Sequence, residues 1–197
     1  MVRHEMEKSE IIEKIVEKKE FSQIPKEDIL KAFEKFDRPG LIDEEKVKLT
    51  RDLLRKVFSG FSSKKLLNPT NKSEEEILKK HLSTRERYPY YEEIYERILK
   101  NFPKEISIVD LGAGVNGLSY KFFEKIGKNV DYTGVEAIGQ IVDLINDFFK
   151  KDKIKGKMFH ISLFNLEEIK KIIKKIKKPK ILFLFKVVDS LEKLYSY

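Results

Sequence analysis

A glycine-rich segment near the middle of the chain has the residue types of a nucleotide-binding loop. It reads DLGAGVNG over residues 110–117 and begins within the apolar run Ile106–Leu111. Glycines at this spacing allow the backbone to approach a ligand closely, and the N-terminus of a following helix would present free N–H groups. The segment also satisfies G-x-G-x-x-G, so a dinucleotide is one candidate ligand.

Two acids bear on which ligand this loop would take. Asp110 lies two residues before the first glycine. A carboxylate there would repel a pyrophosphate but would attract the cationic amino group and sulfonium of S-adenosylmethionine. Glu136 ends the next strand pattern, where an acid can accept hydrogen bonds from the ribose hydroxyls of either ligand. Asp110 therefore favours S-adenosylmethionine over a nicotinamide dinucleotide.

A second motif lies upstream of the loop. The segment HLSTRER at residues 81–87, followed by Tyr88-Pro, resembles the H-x-S-T-R/K-E-R signature of the aminoglycoside-resistance 16S rRNA guanine-N7 methyltransferases. Residues 18–21 (KKEF), 54–61 (LRKVFSGF) and 186–192 (KVVDSLE) are similar, more loosely, to that family's SKKY, LH-x-x-x-GAY and K-x-L-P-x-L-E segments. The resemblance covers essentially the whole chain.

This resemblance implies S-adenosylmethionine as the cofactor and ribosomal RNA of the small subunit as the partner. It implies that Arg87 pairs with the methionine carboxylate, which suits a planar guanidinium. Arg85 stands where the family also takes Lys, and His81 is expected to pack or cap a helix. The residues that the resemblance assigns to the cofactor are Arg85, Arg87, Asp110, Gly112, Ala113, Gly114, Asn116, Glu136, Ala137, Ile161, Ser162, Leu163 and Lys186. Residues 161–163 would contact the adenine.

The chain departs from the family pattern in three places. Ser162 stands where the family usually has Asp after the third strand, although its hydroxyl could replace that contact, and Asp189 stands where it usually has Pro. The sequence ends at Tyr197, where the family continues with further strands. We therefore expect a C-terminally incomplete sheet and a chain that is poorly active alone. The alternative is a compact four-strand version of the fold.

The elements that must position these motifs divide into two regions. The first hundred residues show only helical patterns, over Ser9–Lys19, Pro25–Phe36 and Asp43–Phe58, with capping boxes at residues 73–76 and 83–86. A helix after the second box has an apolar stripe interpreted as core: Tyr91, Ile94, Tyr95, Ile98, Leu99 and Phe102. Residues 1–80 are predicted to form a helical RNA-docking domain. The basic residues expected to meet phosphates are Lys18, Lys19, Arg51, Arg55, Lys56, Lys64 and Lys65.

After residue 105 strand and helix patterns alternate. Strands are predicted at 106–111, 130–136, 156–162 and 180–188, and helices at 118–126, 138–150 and 166–176. The last strand, KILFLFKVV, has the composition of a central parallel strand. The fold class is therefore an α/β, Rossmann-like class I methyltransferase sheet over residues 81–197, preceded by the all-helical domain.

Composition limits the other possibilities. The chain has 197 residues, no cysteine and three scattered histidines, so we expect neither disulfides nor a metal site. No apolar run is long enough for a membrane span, and we expect a cytoplasmic monomer. Residues 151–197 carry 13 Lys and 5 acids, a net of +8, which equals the whole chain's net charge. This excess predicts a nucleic-acid partner, or simply the solvent face of an amphipathic helix over residues 166–178.

The reaction expected from the resemblance is methyl transfer to guanine N7. That nitrogen has a free lone pair and loses no proton, so in-line alignment would replace a general base and no catalytic residue is predicted. Two alternatives remain open at this point: a non-catalytic RNA-binding homologue or fragment, and a nicotinamide-dependent enzyme.

Overall fold

The computed structural model describes residues 6–58 and 73–195 of the chain. Lys64, Lys65 and the end of the 54–61 segment, which the sequence analysis singled out, lie outside the described residues. Within these two ranges, every helix is too short or too polar to cross a membrane.

Within the described part of the chain, six α-helices precede the sheet. They are α1 (Lys8–Val16), α2 (Lys26–Glu34), α3 (Asp43–Phe58), α4 (Glu74–Lys80), α5 (Leu82–Arg85) and α6 (Tyr91–Leu99). The predicted apolar stripe of α6 faces the core, since Tyr91, Tyr95 and Leu99 are fully buried. Its other members, Ile94, Ile98 and Phe102, are partly buried against the same core.

One of the two predicted capping boxes is present. At the start of α4, Ser73 Oγ accepts from the Glu76 N–H and Glu76 Oε2 accepts from the Ser73 N–H. The box predicted at Ser83 is wrong, because the extended N-cap residue of α5 is His81 and Ser83 already lies inside the helix. Its hydroxyl instead bonds His81 Nδ1 at 3.1 Å.

The four strands are β1 (Glu105–Leu111), β2 (Asn129–Glu136), β3 (Gly156–His160) and β4 (Lys180–Phe183). They are all parallel, in the order β3-β2-β1-β4. The connecting helices are α7 (Tyr120–Lys125), α8 (Gly139–Lys151) and α9 (Leu166–Lys175), and α10 (Val188–Tyr195) follows β4. The predicted α/β fold is confirmed. The strand order changes direction between β1 and β4, where a ligand crevice is expected at the strand C-termini.

Apolar side chains cover both faces of this sheet. Ile108 and Tyr132 belong to a large buried cluster that also contains residues of the N-terminal helices, α6, α7 and α8. On the opposite face Val135, Ile161 and Ile169 form a smaller cluster beneath α9. The buried core thus continues from the helical region into the sheet, and the division at residue 80 stays a prediction.

The fourth strand is shorter than predicted. We expected a central strand over residues 180–188, but β4 ends at Phe183 and lies at the edge of the described sheet. The apolar residues beyond it serve other contacts: Phe185 lies beneath the Arg87 guanidinium, 4.8 Å from its ring centre, and Val187 packs against Gly112. The strand therefore stops because the chain turns towards the ends of β1 and α5.

The helical region meets the sheet beside α8. The Gln23 backbone carbonyl accepts from the Gly139 N–H at 3.2 Å and from His160 Nε2 at 2.8 Å. A Cβ added at Gly139 would lie 2.7 Å from Gln23 Oε1, so a larger residue there would require the Gln23 side chain to shift. The turn before α2 is therefore fixed against the C-terminal ends of β2 and β3.

Candidate functional site

The glycine-rich loop turns sharply at the end of β1. Gly112 has a φ of +69°, and a Cβ added there would overlap Val187 Cγ2. The N–H groups of Gly112 and Ala113 donate to the Val135 carbonyl at 2.8 and 3.0 Å, which holds the loop against β2. The loop then enters a 3-10 turn over Asn116–Ser119 before α7 begins.

A buried asparagine connects this loop to the upstream motif. Asn116 Oδ1 accepts from Tyr91 OH at 2.7 Å and from Arg87 Nη2 at 3.4 Å. Asn116 Nδ2 donates to Asp110 Oδ2 at 2.7 Å. An ionised carboxylate only accepts hydrogen bonds, so this contact fixes the orientation of the amide. Arg87 and Asp110 are thus placed on two sides of one side chain.

Asp110 is buried, with one oxygen that takes two donors. Its Oδ2 also accepts from Tyr132 OH at 2.6 Å. Burial raises the pKa of Asp110 to about 6, against the opposing effects of these two hydrogen bonds and of the Arg87 charge. The group is therefore an anion at neutral pH and a neutral acid below about pH 6.

Arg87 retains unused hydrogen-bonding capacity. Its Nε is buried and has no hydrogen-bond partner among the described residues. The guanidinium lies over the Phe185 ring and 5.9 Å from the centre of the Tyr91 ring. Arg85, two residues earlier, is exposed at the end of α5. The structure therefore brings Arg87 and not Arg85 to the loop.

Glu136 holds the next loop together. Its Oε2 accepts from the Gly114 N–H at 2.8 Å and its Oε1 from the Ile138 N–H at 3.0 Å. Burial raises the pKa of this carboxyl, although the backbone N–H groups oppose the effect. The acid therefore joins the glycine-rich loop to the turn that leads into α8.

A cavity of about 50 Å³ lies at the strand ends. The predicted residues Gly112, Glu136, Ala137 and Leu163 line it. It is also lined by Asp28, Val57 and Phe58 from α2 and α3, by Phe164 and Val187, and by Ser190, Leu191 and Leu194 from α10. Ligand pockets usually measure about 300 to 1,000 Å³, so this cavity is smaller than a nucleoside site usually is.

Ser162 makes a different contact from the one expected. Its hydroxyl donates to Asp28 Oδ1 at 2.8 Å and accepts from the Phe164 N–H at 3.1 Å. Its proton is therefore used by Asp28, a residue 134 positions away in the sequence. The hydroxyl therefore has no proton left for a ligand, although its second lone pair can still accept a hydrogen bond. That Ser162 replaces the family's acid stays a prediction.

Two residues that were expected to bind the cofactor, and the histidine that was expected to pack, do not line the cavity. Ile161 packs beneath the sheet with Val135 and Ile169. Lys186 is exposed and forms an ion pair with Glu86. His81 is buried, and burial together with the Arg87 charge lowers its pKa to about 4. The interpretation of His81 as a packing residue at a helix start agrees with its position before α5.

Several polar residues near the site were missed. Tyr91, Tyr95 and Tyr132 were treated as core or strand residues. In the structure the Tyr91 hydroxyl bonds Asn116 and the Tyr132 hydroxyl bonds Asp110. The Tyr95 hydroxyl bonds Ser119 Oγ at 2.6 Å. A signal existed, because a buried tyrosine hydroxyl normally needs a partner. Asp28 was also missed, although an acid four residues before the buried Ala32 breaks the apolar stripe of α2.

The buried Asp28 predicts a pH-dependent stability. Burial raises the pKa of Asp28 from 3.8 to about 6. Between these values the folded protein binds a proton that the unfolded chain has released, so stability falls as pH rises through this window. At about 1.4 kcal/mol per pH unit, the loss is at most about 3 kcal/mol. Urea unfolding should show Asp28→Asn gaining stability relative to wild type from pH 4 to pH 7. Glu34→Gln, which changes an exposed acid of the same helix, is the control, and a constant difference across this range for Asp28→Asn would contradict the assignment.

A basic groove of about 270 Å³ lies on the helical region, away from this cavity. It is lined by Lys14, Lys18, Glu44, Val47, Lys48, Arg51 and Arg55. Arg51 is used internally, since it donates to the backbone carbonyls of Lys14 and Ile15. Arg55 pairs with Glu20 and Asp52, each at 2.8 Å. The lysines and Glu44 remain as the exposed charges of this groove. Lys19 and Lys56, which were expected to meet phosphates, are exposed but do not line it.

Solved structures share this fold. A structure of the 16S rRNA methylase RmtB superposes with a TM-score of 0.74 at 14% identity, over 98% of this chain and 77% of that chain. The structure of the 16S rRNA methyltransferase RmtF in complex with S-adenosyl-L-homocysteine superposes with a TM-score of 0.71 at 17% identity, over 97% of this chain and 74% of that chain. An rRNA methylase from Escherichia coli superposes with a TM-score of 0.65 at 14% identity, over 95% of this chain and 79% of that chain. At these identities the likeness concerns the fold.

The sequence itself matches a family model. No curated protein sequence matches the chain significantly. The model of the ribosomal RNA methyltransferase FmrO, however, matches residues 68–167, just over half of the 197 residues. That range contains the HLSTRER motif, the glycine-rich loop, Glu136 and Ser162. The chain therefore belongs to the FmrO family of ribosomal RNA methyltransferases.

Proposed function

We propose that this protein binds S-adenosylmethionine at the ends of β1 and β2 and methylates guanine N7 in ribosomal RNA of the small subunit. The observation that carries the cofactor assignment is the pair of opposite charges at the glycine-rich loop. Arg87 and Asp110 lie on two sides of Asn116, and Arg87 Nε has no partner among the described residues. A zwitterionic amino-acid group fits this arrangement, because each charge meets its opposite.

The residues present fit this cofactor in the order of its parts. Arg87 would hold the carboxylate of the methionine moiety and Asp110 would attract its amino group. Glu136 would accept from the ribose hydroxyls, and the cavity walls at Ala137 and Leu163 would contact the base. When bound, S-adenosylmethionine supplies a methyl group on a positively charged sulfur. A dinucleotide fits less well, since its pyrophosphate would face Asp110.

The protein's part in the transfer would be alignment. Guanine N7 loses no proton when it is methylated, so the site needs no general base. The side chains next to the loop are consistent with this, because Asp110 is bonded to Asn116 and Tyr132, and the buried His81, whose pKa burial lowers to about 4, is a weak proton acceptor. Holding the reacting groups in line can contribute about 7 to 11 kcal/mol.

Two measurements test this proposal. Calorimetric titration should show binding of S-adenosylhomocysteine and weaker or no binding of NAD, and tighter binding of NAD would refute the cofactor assignment. A methyl-transfer assay on small ribosomal subunits, followed by mapping of 7-methylguanine in the RNA, tests the target. Binding to subunits without transfer would favour the non-catalytic alternative. Full activity of the 197-residue chain would contradict the prediction that it is poorly active alone.

The basic groove is the surface we propose for RNA docking. Its charge excess and the internal use of Arg51 and Arg55 leave Lys14, Lys18 and Lys48 to meet phosphates. Such contacts position an RNA without reading its sequence.

Alanine at Lys14, Lys18 and Lys48 together should weaken RNA binding and flatten its salt dependence. Each lost phosphate contact should reduce the slope of log K against log salt by about 0.7 to 1. The control is alanine at Lys171, Lys174 and Lys175 of α9, which tests the basic C-terminal region instead. A larger change in slope for the α9 variant would move the docking surface to that helix.

A further inference from the structure

A carboxylate from the helical region reaches the candidate cofactor cavity. Asp28 of α2 is 2 % exposed, and its Oδ1 accepts the hydroxyl proton of Ser162 at 2.8 Å. Its Oδ2 has no hydrogen-bond partner among the described residues. A buried acceptor left unpaired is unfavourable and uncommon in folded proteins. We therefore expect this oxygen to accept a hydrogen bond from a group that is not among the described residues.

The surroundings of Asp28 define what that donor belongs to. The residue lines the same cavity as Gly112, Glu136 and Leu163. Burial raises the pKa of Asp28 most, and the charges of Glu27 and Glu136 raise it further, so Asp28 lies within electrostatic reach of the acid assigned above to the ribose. Ser162 bridges Asp28 to the end of β3. The carboxylate thus lines the cavity together with Leu163, the residue assigned above to the base.

We propose that Asp28 accepts a hydrogen bond from the exocyclic amino group of the cofactor's adenine. The inference rests on the proposed function and adds to it a residue that selects the base. A carboxylate has only acceptors, whereas the adenine amino group has only donors to offer, so the two are complementary. A purine with oxygen at the same position would bring an acceptor against the carboxylate.

The sequence position of Ser162 agrees with this assignment. The family that the chain resembles usually has Asp there, and in this chain the acid comes instead from α2, with Ser162 as the residue that positions it. The hydroxyl of Ser162 has donated its proton to Asp28 and accepts from the Phe164 N–H. Ser162 thus holds Asp28 in place, and the acceptor left without a partner among the described residues is Asp28 Oδ2.

The test is a comparison of two ligands by calorimetry at pH 7.5. S-adenosylhomocysteine carries the amino group, and S-inosylhomocysteine carries an oxygen in its place. Wild type should prefer the adenosyl compound by about tenfold or more. Asp28→Asn should bind it about 10- to 100-fold more weakly, with a ratio between the ligands close to one, because an amide can face either group. Glu27→Gln removes a charge from the same turn of α2 and should keep the wild-type ratio.

The outcomes distinguish a failure of the proposed function from a failure of the role of Asp28. Wild type that binds neither ligand would overturn the proposed function and the role of Asp28 with it. Wild type that binds S-adenosylhomocysteine, together with an Asp28→Asn variant of unchanged affinity and ratio, would overturn only the role of Asp28.

A second variant guards against misfolding of the first. The exchange Asp28→Ser with Ser162→Asp keeps one acid and one hydroxyl in the pair and moves the acid to the end of β3. We expect it to melt like wild type and to recover the preference for the adenosyl ligand. A folded exchange variant that binds both ligands equally would contradict the assignment.

Discussion

Replacing Arg87 with alanine is expected to weaken binding of S-adenosylhomocysteine by about 10- to 100-fold. The physical reason is the loss of a charge-assisted hydrogen bond to the ligand carboxylate, which contributes about 1.5 to 3 kcal/mol. Arg87 is preorganised for this contact, because Phe185 supports its guanidinium and Asn116 holds Nη2. Calorimetry at fixed ionic strength measures the change directly.

Arg85→Ala is the matched control for this variant. It removes the same kind of side chain two residues earlier, from an exposed position. Its affinity should stay within about twofold of wild type. Equal losses in the two variants would mean that the arginines act through general charge, and an unchanged Arg87 variant would remove Arg87 from the site.

The second large effect is expected at Asn116. Asn116→Leu keeps the volume of the side chain but removes both ends of the link between Tyr91, Arg87 and Asp110. Asp110 would lose one of its two donors in a buried position. Breaking such a buried network should lower the free energy of unfolding by about 3 to 5 kcal/mol. Urea unfolding, followed by circular dichroism, checks this value.

Asn165→Ala provides the comparison. Asn165 is the N-cap of α9, and its Oδ1 accepts from the Glu168 N–H at 3.2 Å in an exposed setting. Loss of a helix cap typically costs about 0.5 to 2 kcal/mol. If both asparagine variants unfold at the same urea concentration, Asn116 is not the centre of a cooperative network.

The sequence was informative wherever the relevant physics is local. The change from helical to alternating patterns after residue 105 predicted four parallel strands, because periodicity reflects which face of each element is buried. The glycine-rich loop was found because its three glycines lie within six consecutive residues. They follow a strand, at a position where Gly112 has a positive φ. The preference for Arg87 over Arg85 came from a heptad motif and agrees with the burial of its Nε.

The parts that could not be predicted depend on contacts between distant segments. Asp28 and Ser162 are separated by 134 residues, and no local pattern brings an acid in α2 to the end of β3. The predicted length of β4 was wrong for a related reason. Its apolar run continues past Phe183, but composition does not say whether Phe185 and Val187 pair with a strand or pack on Arg87 and Gly112.

The small volume of the strand-end cavity has a consequence for the rate of ligand exchange. The space measures about 50 Å³, so a nucleoside can enter or leave only when the residues that line it move apart. For a ligand that binds only the open form, the apparent dissociation constant is the intrinsic one divided by the open fraction. Association would then level off at the opening rate as ligand concentration rises, and the apolar contacts among the lining residues would determine how long the product stays.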